Sequence, residues 1–180
     1  MRAILQSNGE SRGNPGSAGI GFTLVSGEEK LACGGWPIGL EEDGVAEYKA
    51  LIWGLQNAAA CGVDQLDARV DSPLLVKQVK GSVSVTDRFE KPLFGYAMQL
   101  IDVFDSFEIH HVFRDANVEA CGLLEEAIDR DEGTGSYAVP FTEEETEGLD
   151  MLQQFEINKN DIDRSRSARD AADDPNDVRS

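Results

Sequence analysis

Residues Asn8 to Gly16 read Asn-Gly-Glu-Ser-Arg-Gly-Asn-Pro-Gly. They follow the apolar run Ala3-Ile4-Leu5 and precede Ala18-Gly19-Ile20-Gly21-Phe22-Thr23-Leu24-Val25. Gly13, Asn14, Pro15 and Gly16 are turn-forming types, so the stretch predicts two strands, Ala3 to Gly9 and Ala18 to Ser26, joined by a hairpin connection. Gly27 separates a third strand from Lys30 to Ile38, which completes an antiparallel meander.

Outward from the meander the apolar period changes. From Val45 to Cys61, Leu51, Leu55 and Ala58 fall at i, i+4 and i+7 with Gly62 as a stop, which predicts a helix packed on the sheet. Gln65 to Val70 reads as a buried strand. Ser72-Pro73 reads as the N-cap and first position of a short helix to Val79. Phe89 to Phe104 reads as a helix, Phe107 to Phe113 as a strand and Asn117 to Arg130 as a last helix. His110 and His111 are strand-end residues in this reading. The fold class is α/β, with a five-stranded mixed sheet of meander plus parallel strands, flanked by helices.

One domain of residues 1–130 with an acidic extension of residues 131–180 is expected for a chain of 180 residues with 41% apolar content. Residues 1–130 hold 20 acids and 11 bases, and the remaining 50 hold 14 and 5, so each segment carries a net −9 and the extension is far denser in charge. Thr142 with Glu145 forms a capping box ahead of Leu149, Leu152 and Phe155. From Asn158 onward no apolar periodicity remains, and disorder is expected after about residue 157.

The net charge of −18 is a poor match for a polyanion, so unassisted duplex binding is expected to be weak. Arg outnumbers Lys, and Asp equals Glu in number, a balance that suits a cytosol of molar salt, where screening within about 3 Å removes most self-repulsion. Cys33, Cys61 and Cys121 have no metal-like spacing and form an odd set, which points to a reducing cytoplasm. The N-terminal apolar run is broken at Gln6, so no signal peptide or membrane span is expected there.

Four blocks in order carry a resemblance. The Asn8 to Gly16 turn, Ala46-Glu47-Tyr48-Lys49-Ala50-Leu51, Val70-Asp71-Ser72, and His111-Val112-Phe113-Arg114-Asp115-Ala116-Asn117-Val118-Glu119-Ala120-Cys121 together resemble the motifs of type 1 ribonuclease H over roughly residues 3 to 130. The similarity is greatest to short archaeal and bacterial members without a basic protrusion. The resemblance implies four catalytic carboxylates that hold two Mg²⁺ or Mn²⁺ ions for phosphodiester hydrolysis of the RNA strand of an RNA–DNA hybrid. Glu47 and Asp71 stand at two of those positions. The other two carry Asn8 and Cys121. Arg12, Gly13, Asn14, Pro15 and Ser72 stand at positions that the family uses against substrate, the hairpin turn through backbone contacts to 2′-hydroxyls. Asp43-Gly44 replaces a substrate-binding asparagine pair, and Pro73 replaces a glutamine.

A neutral amide and a thiol in place of two carboxylates leave about two negative charges to face four positive ones, and a thiol is a soft ligand for a hard cation. The leading expectation is therefore a ribonuclease H-like protein with a degenerate two-metal site, its nuclease activity lost or severely reduced. It would act by binding an RNA–DNA hybrid or a protein, with Glu47 and Asp71 as a weak metal site. The alternative is a working Mg²⁺- or Mn²⁺-dependent hybrid endoribonuclease with relocated carboxylates, since Glu10 lies two residues from Asn8 and Glu125 one helical turn beyond Cys121. If the protein is inactive, no cofactor is expected. A third reading is an interaction protein without nucleic-acid contact. Each residue also has a plain role open to it: Glu47 as a surface glutamate, Asp71 as a helix cap, Asn8 as a turn residue, Cys121 as a small buried helix residue.

Overall fold

The computed structural model describes residues 1–134. The readings placed on Thr142, Glu145, Leu149 to Phe155 and residues 158–180 lie outside them. Three antiparallel strands, β1 (Arg2–Gly13), β2 (Gly16–Ser26) and β3 (Glu29–Glu41), are followed by helix α1 (Asp43–Ala60) and strand β4 (Gln65–Val70). Helices α2 (Pro73–Val79) and α3 (Glu90–Ile101), strand β5 (Ser106–His111), a single 3-10 turn at Arg114–Ala116 and helix α4 (Val118–Thr134) complete the order. The sheet runs β3-β2-β1-β4-β5, with β1 parallel to β4 and β4 parallel to β5. The apolar periods placed the five strands and the meander, and the mixed sheet that they form is the one the family resemblance implies.

Glycines set how closely the helices approach the sheet. A Cβ on Gly9 would collide with the Ala46 carbonyl of α1, and a Cβ on Gly21 would collide with the Ala120 carbonyl of α4. Since Gly9 lies on one face of β1 and Gly21 on the opposite face of β2, α1 and α4 clasp the sheet from both sides. Behind α1, Ala18, Ile20, Ile38, Ala46 and Ala50 form a buried cluster under Trp36 and Trp53, whose ring centroids are 4.9 Å apart. Alternation explains the division: Ala18 and Ile20 face α1, while Gly19 and Gly21 face α4.

Several boundaries move. β1 continues past Gly9 because its backbone stays paired with β2 as far as Gly13↔Gly16. Asn8 is therefore not a turn residue; it sits within β1 opposite Gly21, and among the described residues none other than glycine has a positive φ. The Asn-Gly dipeptide that signals a turn here belongs to a strand, with Gly9 required by the close approach of α1. α3 starts at Glu90, after Asp87 accepts from the Phe89 and Glu90 N–H groups, and ends at Ile101, leaving Phe104 buried in the turn that follows. β5 ends at His111, so Phe113 lies beyond the strand and is largely exposed.

Candidate functional site

A cleft opens where β1, α1, the end of β4 and the 3-10 turn converge. Asn8, Glu10, Asn14, Asp43, Glu47, Asp71 and Arg114 are among its lining residues. The parallel pairing Ser7↔Val70 explains the convergence, because the chain leaves the sheet right after Val70 and delivers Asp71 beside Asn8. Glu47 arrives from the first turns of α1, on the stripe of buried Leu51, Gly54 and Ala58.

Glu47 is not a solvated surface glutamate. Burial pushes its carboxyl up to about 7, assisted by the nearby charges of Asp43, Asp71 and Glu90 and opposed by a hydrogen bond from Ser72. Asp71 is raised too, first by burial, with the Arg114 guanidinium acting in the opposite direction. The N-cap of α2 is Ser72, whose Oγ accepts from the Leu75 N–H at 3.3 Å, so Asp71 does not cap that helix. Ser72 is buried and bonded both to the helix start and to Glu47.

Across the cleft, Asn8 and Cys121 are each 4% exposed, and the Asn8 Nδ2 donates to Cys121 Sγ at 3.1 Å. Burial, followed by the charge of Asp71, raises the Cys121 thiol, so it stays protonated near neutrality. Asn117 ties the base of α4 to the same strand, its Nδ2 donating to the Ser7 carbonyl at 3.0 Å. The structure thus brings the four motif residues to one place, two as carboxylates and two as a neutral hydrogen-bonded pair.

The hairpin turn is fastened to α1. Asp43 Oδ1 accepts from the Ser11 N–H at 2.9 Å, and the Asp43 N–H donates to Asn14 Oδ1 at 3.1 Å. The sequence marks Asp43 only as part of the pair that replaces two substrate-binding asparagines, and gives no sign of this clamp. Arg114 was missed as well: it donates to Glu10 at 2.6 Å and also to Glu125 on α4, and both bonds raise its pKa. Its number in the chain offers no signal, since residues 10, 114 and 125 meet only in the fold. His110 and His111 end β5; His110 lies 3.3 Å from Glu108 and 3.8 Å from Asp67, away from the cleft lining.

Of the four motif side chains two are carboxylates, one is an amide and one is a protonated thiol, so they carry less charge than four carboxylates would and include one soft atom, while Glu10 and Asp43 also line the cleft. Among the described residues no group of three or more His, Cys, Asp or Glu side chains converges to hold a metal ion. No described helix is long and apolar enough to cross a membrane.

A central mixed sheet clasped by α1 and α4, with motif residues gathered at the end of β1 and β4, defines a ribonuclease H-like fold. The model of the reverse transcriptase-like family matches residues 6–127, and the chain belongs to that ribonuclease H-like family. Ribonuclease HI of Halobacterium salinarum is 41% identical over 123 residues, which are 68% of this chain and 62% of that protein's length. The crystal structure of RNase H1 from this halophilic archaeon, strain NRC-1, matches with a TM-score of 0.70 and 40% identity, covering 72% of this chain and 99% of that one. LC11-RNase H1, solved in complex with an RNA/DNA hybrid, matches with a TM-score of 0.68 and 32% identity over 72% of this chain and 99% of that one.

Proposed function

We propose that this protein binds RNA–DNA hybrids in the Asn8–Glu47–Asp71 cleft and cleaves them poorly or not at all. The observation that carries this reading is the Asn8–Cys121 hydrogen bond, because it occupies two of the four motif positions with neutral groups that hold each other. Hybrid as the ligand is supported by the relative solved with an RNA/DNA hybrid and by the hairpin turn, which Asp43 fastens beside the cleft. In this reading Glu47 and Asp71 take at most one Mg²⁺ or Mn²⁺ ion, weakly, and Arg12, Gly13, Asn14 and Pro15 meet the RNA strand through the turn.

The relocated-carboxylate alternative fares worse. Glu10 lines the cleft, and Arg114 bonds both Glu10 and Glu125, so a cation would have to compete with the guanidinium for either carboxylate. Two measurements on the same labelled hybrid test the proposal: anisotropy for binding, and gel analysis of cleavage with Mg²⁺ and with Mn²⁺, each at low and at molar KCl. Saturable binding with little cleavage is expected. Efficient cleavage by the unmodified protein would refute the degenerate-site reading, and absence of binding at every salt concentration would refute the ligand.

A further inference from the structure

Arg114 is the cation on the cleft wall, and its charge is already matched from within the protein. Its Nη1 donates to Glu10 on β1 at 2.6 Å and its Nη2 donates to Glu125 on α4. One helical turn further along α4, Asp129 pairs with Arg12 of the hairpin turn at 2.6 Å. The two arginines nearest the site thus both meet carboxylates of α4. These side chains are in water to a large degree: Arg114 is 47% exposed, Glu125 50% and Asp129 67%. Ion pairs this exposed are weak and exchange readily. A carboxylate and a phosphate present the same kind of acceptor pair to a guanidinium, so one can replace the other without a change in donor geometry.

We propose that Glu10 and Glu125, seconded by Asp129, are internal stand-ins for phosphate: they occupy Arg114 and Arg12 until a nucleic-acid strand entering the cleft displaces them. The inference rests on the hybrid-binding reading above and deepens it by naming what sets the affinity of that site. Two consequences follow from the exchange. Binding is weaker than the two arginines alone would give, because each must first leave a carboxylate. Its salt dependence is shallower, since the released carboxylates gather cations while the bound phosphates shed theirs. Mere net charge cannot produce the same pattern, because the effect is local to Arg114.

Anisotropy of a labelled RNA–DNA hybrid across a KCl series reads this out. Five proteins are compared: the parent, the Glu10→Gln/Glu125→Gln double variant, a charge-matched Glu28→Gln/Glu29→Gln control, Arg114→Gln, and Arg114→Gln combined with the cleft double variant. Glu28 and Glu29 are exposed at the β2–β3 connection, at the opposite end of the β1–β2 ladder from the hairpin turn. The cleft double variant should bind roughly fivefold more tightly than the charge-matched control, with a steeper slope of log affinity against log salt than the parent. Arg114→Gln should weaken binding with little change of slope in the parent, and in the cleft double variant it should reduce the slope by about one and remove the gain. If the cleft variant binds no better than the control, or keeps its advantage without Arg114, the stand-in proposal is overturned while hybrid binding stands. If no protein in the set binds hybrid at any salt concentration, the binding reading fails and the proposal with it.

Discussion

Glu47 and Asp71, on the α1 and β4 side of the cleft, are carboxylates that burial biases toward the protonated form, whereas Asn8 and Cys121, across from them on β1 and α4, make a neutral pair that is nearly inaccessible to water. The first side is crowded by like charges, which Ser72 relieves at Glu47 and a backbone hydrogen bond, Arg114 and His111 relieve at Asp71. The second side has become part of the packing between sheet and helix. The two walls differ in charge yet rest on the same supports, since the approach of α1 and α4 to the sheet is set by Gly9, Gly21 and the strand register, not by the polar groups.

The shape is the place to break the comparison with the largest effect. Gly9→Ala drives a methyl group into the Ala46 carbonyl and the start of Glu47, so α1 must retreat and carry the charged wall with it. Gly21→Ala does the same to α4 at Ala120 and so shifts the neutral wall. Each should cost about 3 kcal/mol or more in urea unfolding, as backbone overpacking in a core does. A cost below about 1 kcal/mol would mean that the helices are less tightly seated than this geometry requires.

The charged wall itself is probed by pH. The folded Glu47 carboxyl titrates at about 7 against a reference near 4.5, so the folded state holds the proton more tightly than the unfolded chain. Stability from this group is therefore full below pH ~4.5 and is lost as pH rises through about 7. Glu47→Gln should be about 2 kcal/mol more stable than the parent at pH 8, after allowance for partial solvent screening, and nearly equal to it at pH 4.5. A difference that does not change with pH would assign the effect to packing. On the neutral wall no comparable pH dependence is expected from Asn8.

A smaller effect is expected at Ser72. Its replacement by Ala removes the N-cap of α2 and the hydrogen bond to Glu47, costing about 1 kcal/mol and moving the Glu47 titration further upward. Loss of stability with no change in that titration would separate the two roles.

How much of this was legible in the sequence varies with the kind of interaction. The strand and helix periods from Ala18 to Val70 carried the elements and the packing of α1 on the sheet, because alternating Ala18, Ile20 and Phe22 and the Leu51, Leu55 and Ala58 stripe each have one face to bury, whereas the strand order came only with the fold. The motif blocks carried the meeting of Asn8, Glu47, Asp71 and Cys121. The turn role left open for Asn8 falls away, and local propensity could not settle it because it cannot see α1 pressing on Gly9. The Asp43 clamp and the Glu10–Arg114–Glu125 bridge were out of reach for the same reason: each joins segments far apart in the chain.

The proposal that neutral residues at positions 8 and 121 disarm the cleft stands or falls on cleavage of a labelled RNA–DNA hybrid with Mg²⁺ by Asn8→Asp/Cys121→Asp beside the parent and the two single variants. The double variant should cleave on the order of 100-fold faster than the parent, and neither single change should recover most of that gain, because groups that act as a unit are not additive. A parent that already cleaves as fast as the double variant, or a folded double variant that binds hybrid and divalent ions yet leaves the hybrid intact, would contradict the account.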